Sequence, residues 1–239
     1  MENSRRSLQH LVSMSEKERS RVGVSESYLL NTFHHMICGL CHCHSLSIVL
    51  RDLRPSIVLL DSDGVVKLCA FEKAVVIPDT CKGLRDIAGA AAFMSPEMAS
   101  NKLYGMGTDI WSCGVIAYLL LYGAFPYQPP QCVKCMQDEF DARSTELIMQ
   151  AIRDNDPKPT YMKKSTLDSK PSTSAEHFVK QLLTRSMQKR PSAKECLHLG
   201  ALAGTENHRD TREYRESSVA YFSSFSSLDA VDGDFFHSD

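Results

Sequence analysis

The amino-acid sequence predicts a mainly α fold with short β ribbons, and three observations predict it. First, apolar residues recur at helical spacing after Ser25, which is a favoured N-cap residue. Second, residues 110–122 form an almost continuously apolar stretch, as expected of a buried helix. Third, apolar runs at residues 48–50, 57–60 and 65–68 have lengths that are typical of strands.

Composition and charge limit the class of protein. The chain of 239 residues is 43% apolar with a formal net charge of -2, so it can bury a core but lacks the positive field of nonspecific nucleic-acid binders. Its N-terminus has no apolar signal core, and its longest apolar stretch is interrupted by glycines and a proline. Nine cysteines, mostly within apolar segments, fit reduced thiols. We expect a soluble protein of the cytoplasm or nucleus, with neither nucleic acid nor membrane as partner.

The first elements follow from local patterns. Residues 1–24 are expected to be an N-terminal segment with one short helix, which Ser7 can cap. From Ser25 a long helix is expected, and its apolar face comprises Leu29, Phe33, Met36, Ile37 and Leu40. The three apolar runs follow it, and turn residues at 61–64 predict a hairpin between the last two.

The rest of the chain is expected to be helical with polar loops. Thr108 is a candidate cap for the helix at residues 110–122. Three further helices are expected, at residues 145–153, 175–186 and 192–199. Residues 204–239 contain too few aliphatic side chains to fold alone, so we expect a polar, disordered tail.

One ordered set of motifs resembles a known family. Residues 50–57, Leu-Arg-Asp-Leu-Arg-Pro-Ser-Ile, resemble the H-R-D-L-K-P-x-N catalytic loop of eukaryotic protein kinases, and an apolar strand follows in both. Ala70-Phe71-Glu72 stands where the family has its metal-binding D-F-G. Further matches are Ser95-Pro96-Glu97, the Asp109-x-Trp111 helix start, and Arg190. The order and spacing make chance improbable.

The resemblance implies a fold and a set of roles. Residues 25–203 are similar to the C-terminal lobe of a protein kinase, most of all to the calcium/calmodulin-dependent Ser/Thr kinase group. In this comparison Asp52 is a vestigial general base and Arg54 takes the position of the family's lysine. The matched residues with structural roles are Arg51, Phe71, Glu97, Asp109, Trp111 and Arg190. Asp109 is expected to accept hydrogen bonds from catalytic-loop amides, and Glu97 to pair with Arg190.

The same comparison indicates that the chemistry is impaired. Ile57 and Ala70 occupy the family's two metal-ligand positions, and neither side chain can coordinate Mg²⁺. Only about fifty residues precede Asp52, and they contain no G-x-G-x-x-G, so we expect the β-rich nucleotide-binding lobe to be absent. No cofactor is therefore expected, and Mg-ATP enters only if the chain is a weak kinase.

Three functions stay open on the sequence. The first is a pseudokinase that acts as a binding or scaffold module for other signalling proteins, an active kinase or its substrate among them. It would use residues 147–152 and the activation segment as docking surfaces. The second is a weak or atypical Ser/Thr kinase that transfers phosphate from ATP, with metal held by Glu72 or Asp61. The third is a truncated product of a kinase gene.

Three smaller features have competing interpretations. Cys41-His42-Cys43-His44 suggests either a zinc site or the packed end of a helix, and we prefer packing. Cys132 and Cys135 are either a metal or redox pair or free thiols in a loop, and we prefer free thiols. Arg51 receives a phosphorylated side chain in active relatives, with Thr80 the nearest candidate here, but we expect a solvated charge.

Overall fold

The computed structural model describes residues 6–14, 18–19, 24–61, 65–69, 71–78, 80–129, 142–162 and 170–202, all within the unit Met1–Thr205. Several predictions fall elsewhere: Ala70, the Cys132 and Cys135 pair, most of the hairpin turn and the tail lie outside the described residues. Within the described ranges, no helix is long and apolar enough to cross a membrane.

Helices dominate the described residues, and every strand has only two or three residues. The helices are α1 (Leu8–Ser13), α2 (Glu26–Ser45), α3 (Pro96–Ala99), α4 (Gly107–Tyr122), α5 (Ala142–Asp154), α6 (Thr173–Leu182) and α7 (Ala193–Cys196). The strands are β1 (Arg6–Ser7), β2 (Ile48–Val49), β3 (Val58–Leu60), β4 (Val66–Leu68) and β5 (Val75–Val76). Short 3₁₀ turns occupy Pro55–Ile57 and Ala91–Phe93. The predicted mainly α fold with short β ribbons is confirmed.

Helix α2 begins where its sequence predicts. The Ser25 hydroxyl accepts a hydrogen bond from the Tyr28 amide at 3.2 Å, which satisfies one of the free donors of the first turn. The predicted apolar face, Leu29, Phe33, Met36, Ile37 and Leu40, is buried. Phe33 stacks on Phe178 of α6 with ring centroids 6.0 Å apart, so α2 is fastened to a distant part of the chain.

Helix α4 is buried on all sides, as its nearly uniform apolar sequence predicts, and it packs against α2 and α6. Gly123, with φ +70°, ends it in a left-handed conformation that glycine adopts readily. The predicted cap is wrong, because α4 begins at Gly107 and the Thr108 hydroxyl instead donates to the Ser95 hydroxyl oxygen at 2.9 Å. Burial beside α3 redirects this side chain to a tertiary partner.

The strands form two small antiparallel sheets. β3 lies between β1 and β4, and β2 pairs with β5. Strands β1 and β5 have two residues each and no alternating pattern, so the sequence does not reveal them. Because β1 pairs with β3 and Leu8 is fully buried, the N-terminal segment is part of the same core.

Two later helices end earlier than predicted. α6 ends at Leu182 rather than continuing to residue 186, and beyond its end the Thr184 carbonyl oxygen accepts a hydrogen bond from Arg190 Nε at 2.8 Å. α7 is one turn long, and it begins with a capping box in which the Ser192 amide donates to Glu195 Oε2 at 2.8 Å. The capping box thus fixes where α7 begins.

The prediction that residues 147–152 form a docking surface is wrong. Ile148, Met149 and Ile152 are buried, because this face of α5 packs on α3 and on the 3₁₀ turn Ala91–Phe93. A partner cannot use side chains that already form the core.

The close approach of α4 and α6 generates a stability prediction. A Cβ at Gly114 would lie 2.8 Å from Leu182 Cβ and 3.2 Å from the Leu182 carbonyl carbon. We expect Gly114→Ala to lower the free energy of unfolding by about 1–3 kcal/mol, measured by urea denaturation, because the two backbones must separate.

Gly107→Ala is the matched control in the same helix, because its Cβ would meet only Arg190 Nη1, at 3.6 Å. We expect that variant to stay within about 1 kcal/mol of the parent. Equal losses in the two variants would contradict the packing explanation.

Candidate functional site

The loop at residues 50–54 is organised by one buried carboxylate. Asp109, in the first turn of α4, accepts hydrogen bonds from the Leu50 amide to Oδ2 and from the Arg51 amide to Oδ1, each at 3.0 Å. His44 Nε2 lies 3.0 Å from Oδ2, at the end of α2. Asp109 is fully buried, so these polar contacts replace the water that it loses.

The carboxylate holds an unusual backbone conformation. Arg51 has φ +67°, in the left-handed region that residues with a side chain seldom adopt. Its amide and that of Leu50 both donate to Asp109, which fixes the Val49–Leu50 and Leu50–Arg51 peptides just before Asp52. The strain is thus held at the point where the loop presents its functional side chains.

Asp52 is positioned from the segment that follows β5. Its Oδ1 accepts a hydrogen bond from the Ala90 amide at 3.1 Å, and its Oδ2 lies 3.4 Å from Arg54 Nε. Gly89 has φ +83°, and a Cβ there would lie 2.6 Å from the Arg51 carbonyl oxygen and 2.9 Å from Asp52 Oδ1. Only glycine allows the segment to approach this closely.

The two predicted metal positions carry no oxygen ligand. Ile57 ends the 3₁₀ turn after the loop, and its side chain is buried in the core with 7% exposure. Its carbonyl oxygen accepts the Cys69 amide at 2.9 Å. Ala70 lies outside the described residues, and its neighbour Phe71 packs half-buried against the core. Mg²⁺ requires oxygen ligands, so neither the Ile57 nor the Ala70 side chain fits the ion.

Glu97 and Arg190 form a buried, bidentate ion pair. Arg190 Nη1 donates to Glu97 Oε1 at 2.6 Å and Nη2 donates to Oε2 at 3.0 Å. Arg190 Nη1 also donates to the Gly107 carbonyl oxygen at 2.8 Å, and the guanidinium lies 5.1 Å from the ring centre of Trp111. The arginine thereby joins α3, the start of α4 and the chain before α7.

Trp111 is also fully buried, and its ring stacks on that of Tyr127 with centroids 6.0 Å apart. Its neighbour Ser112 donates to the Phe93 carbonyl oxygen at 2.8 Å, which ties α4 to the 3₁₀ turn Ala91–Phe93. The side chains matched to structural roles therefore lie on the scaffold around the loop and not on the surface.

The prediction that Arg51 is a solvated charge is wrong. Its guanidinium pairs with Asp86 and donates from Nε to the Lys73 carbonyl oxygen at 2.5 Å. Asp86 was not among the predicted site residues, because an ion pair across 35 positions leaves no local pattern. Tyr104 joins the same group, and its hydroxyl donates to the Asp86 carbonyl oxygen at 2.7 Å.

The Cys41–His44 stretch ends α2 and packs. Burial raises the pKa of Cys41 to about 11 and that of Cys43 to about 12, so both remain protonated thiols near neutral pH. His44 takes part in the site through Asp109. A histidine at a helix end gives a weak sequence signal, since its partner is 65 residues away.

Comparison with known proteins is consistent with these features. A family model described as the protein kinase domain matches residues 1–200. The chain is 30% identical over 209 residues to mitogen-activated protein kinase kinase 1 of Arabidopsis thaliana, which covers 86% of this chain and 53% of that protein.

It is also 39% identical over 105 residues to CBL-interacting serine/threonine-protein kinase 8 of Arabidopsis thaliana, covering 44% of this chain and 24% of that protein. Against the serine/threonine-protein kinase GIN4 of Saccharomyces cerevisiae the identity is 28% over 191 residues, covering 80% of this chain and 15% of that protein. The chain thus spans between 15% and 53% of the length of these relatives.

The geometry predicts the cost of disturbing Asp109. In Asp109→Asn, one carboxylate oxygen becomes an amide donor that must face a donor already present. We expect a loss of about 2–4 kcal/mol in the free energy of unfolding, with faster hydrogen exchange at the amides of Leu50 and Arg51. Asp154→Asn, at the exposed end of α5, is the control. Unchanged exchange at the two loop amides would contradict the assignment.

Two glutamate–arginine pairs among the described residues allow a comparison of a buried and an exposed ion pair. Glu97→Ala leaves Arg190 buried without its carboxylate, and we expect it to cost about 3–5 kcal/mol by urea denaturation. Glu146→Ala removes the carboxylate that pairs with Arg153 and is 62% exposed, so we expect a loss of at most about 1 kcal/mol. A loss of similar size in both would show that burial does not determine the contribution.

Proposed function

Because the chain belongs to the protein kinase family, we propose that it is a catalytically impaired member, a pseudokinase, that acts as a binding or scaffold module in phosphorylation signalling. One observation carries the proposal: Ile57 and Ala70 take the two positions at which the family holds its metal ions. Hydrocarbon side chains offer no lone pair to Mg²⁺.

The burial of Ile57 strengthens this argument. A ligand at this position would have to leave the core to face a triphosphate, whereas the Ile57 side chain contributes to that core. Metal ions neutralise the charge that develops on the transferred phosphoryl group, and losing that contribution costs several kcal/mol. Each ~1.4 kcal/mol changes the rate about tenfold. Phosphoryl transfer would therefore be far slower than in a kinase that holds its metal ions.

The retained contacts favour a function that needs a defined shape. Asp109 holds the loop and the Glu97–Arg190 pair joins three parts of the fold, and neither arrangement needs a nucleotide. We assign the binding surface to the segment at residues 81–90, which follows β5 and carries Ile87 with 49% of its surface exposed. Its partners would be other signalling proteins, such as an active kinase or its substrate, in the cytoplasm or nucleus.

A second candidate function is weak or atypical Ser/Thr kinase activity. The observation in its favour is the fixed carboxylate of Asp52, which a general base would need. The residues that would have to hold the metal argue against this function. Asp61 Oδ1 accepts the Val65 amide at 2.9 Å and Oδ2 lies 3.6 Å from Lys67 Nζ, while Glu72 is exposed.

The deciding experiment combines the purified chain, Mg-ATP and a general protein substrate. We expect no phosphate transfer that depends on Asp52 and no nucleotide-induced change in Tm, because neither Ile57 nor Ala70 can coordinate the metal. Asp52→Asn should therefore match the parent in both measurements. Turnover that is lost in Asp52→Asn would establish the second function and refute the first.

A restoring variant sharpens the result. Ala70→Asp returns one metal ligand, whereas Ile57→Asn also places an amide in the core and should destabilise the fold by about 1–3 kcal/mol. Activity of the restored variants is therefore compared with their unfolding free energies. If restoration leaves the turnover of an active parent unchanged, the natural site was never impaired, and the pseudokinase proposal fails.

A further inference from the structure

We propose that the 81–90 segment is held on the loop at residues 50–54 by a latch that the chain supplies itself, the ion pair between Arg51 and Asp86. The latch gives the segment a fixed position without a phosphorylated side chain. This inference concerns the order of the segment, so it goes beyond the proposed function and does not depend on whether the chain transfers phosphate.

The backbone of Arg51 is fixed independently of its side chain. Its amide is fixed by Asp109, and its side chain is only 11% exposed. Nε donates to the Lys73 carbonyl oxygen at 2.5 Å, while Nη1 donates to Asp86 Oδ2. The planar guanidinium aims separate donors at two stretches of chain, which a lysine ammonium cannot do with the same geometry.

Asp86 is also held by Tyr104, which is buried. The Tyr104 hydroxyl donates to the Asp86 carbonyl oxygen at 2.7 Å and lies 3.3 Å from Asp86 Oδ1. The backbone of Tyr104 pairs with that of Leu84 through two hydrogen bonds of 2.8 and 2.9 Å. Gly83 permits this pairing, because a Cβ there would lie 2.8 Å from the Tyr104 carbonyl oxygen.

The protonation states suit these roles. Burial raises the pKa of Tyr104, so its hydroxyl keeps its proton near neutral pH and remains a donor. Burial alone would lower the pKa of Arg51, but hydrogen bonds to Tyr104 and Asp86 outweigh it and raise that pKa. The guanidinium therefore remains charged beside the carboxylate.

The segment is thus fastened at three points along its length: Leu84 at Tyr104, Asp86 at Arg51, and Ala90 at Asp52. Because a carboxylate of the same chain already occupies Arg51, a phosphate on Thr80 is not needed to order the segment. Asp86 itself is 62% exposed, so water screens the pair and its effect should stay local. Ile87, next in the chain, is then presented in a defined place.

Residue-specific hydrogen exchange, followed by NMR, tests the latch. The reporters are the amides of Leu84, Ala90 and Tyr104, which are hydrogen-bonded in the latched arrangement. In Asp86→Asn we expect these amides to exchange about three- to fivefold faster, because the segment opens locally and a pair with an exposed carboxylate makes a modest contribution. Amides in α4 should change less than about twofold, since they report opening of the core.

Two further variants separate the charge pair from other effects. Glu72→Gln removes an exposed carboxylate outside the latch and should leave all three reporters within about twofold of the parent. Arg51→Lys keeps the charge but loses the fork, and should accelerate the same three amides as Asp86→Asn. If Asp86→Asn left the reporters unchanged, or accelerated α4 to the same extent, the proposal of a local latch would be overturned.

Discussion

The buried carboxylate of Asp109 is the constraint on which the rest of this site depends. An ionised group without exposure is costly unless donors surround it, and here two loop amides and His44 do so. The arrangement fixes Arg51 in its left-handed conformation. Next to that fixed residue, Asp52 accepts a hydrogen bond from the Ala90 amide. The guanidinium of Arg51 itself pairs with Asp86. A single helix-start side chain thereby determines where several distant groups meet.

The contacts that maintain the fold and the positions that would support chemistry are physically separate. Asp109 and the Glu97–Arg190 pair are buried and hydrogen-bonded, and losing one partner would leave a charge in the core. Ile57, in contrast, is an apolar side chain in an apolar environment and adds to the core without any partner. The architecture of this lobe therefore does not depend on a polar side chain at position 57.

Much of the fold could be predicted because it depends on interactions between residues that are close in sequence. The Ser25 cap, the apolar face of α2 and the uniformly apolar α4 are properties of neighbouring residues, and periodicity captures them. Predictions failed where a distant partner intervened. Thr108 bonds Ser95 rather than capping its own helix, and Arg51 finds Asp86 rather than solvent.

Within the site, the motif spacing predicted Asp52, Asp109, Glu97 and Arg190 as site residues. The structure describes the contacts of all four. Motifs name only positions that a family shares. They could not reveal His44, Asp86 or Tyr104, because each contributes through tertiary hydrogen bonds set by the course of the chain. The two-residue strands β1 and β5 could not be predicted from the sequence for the same reason, since their partner strands and not their composition define them.

The central claim is that this lobe persists without the means to grip a divalent ion, and titration with paramagnetic Mn²⁺ and ATP tests it most directly. Mn²⁺ broadens the NMR signals of nuclei close to it, so the amides of Asp52, Ile57 and Phe71 report binding between the loop and the D-F-G position. We expect these signals to keep their intensity relative to those of α6. Selective broadening of the three, reversed by excess Mg²⁺, would show that the lobe binds a divalent ion and would contradict the claim.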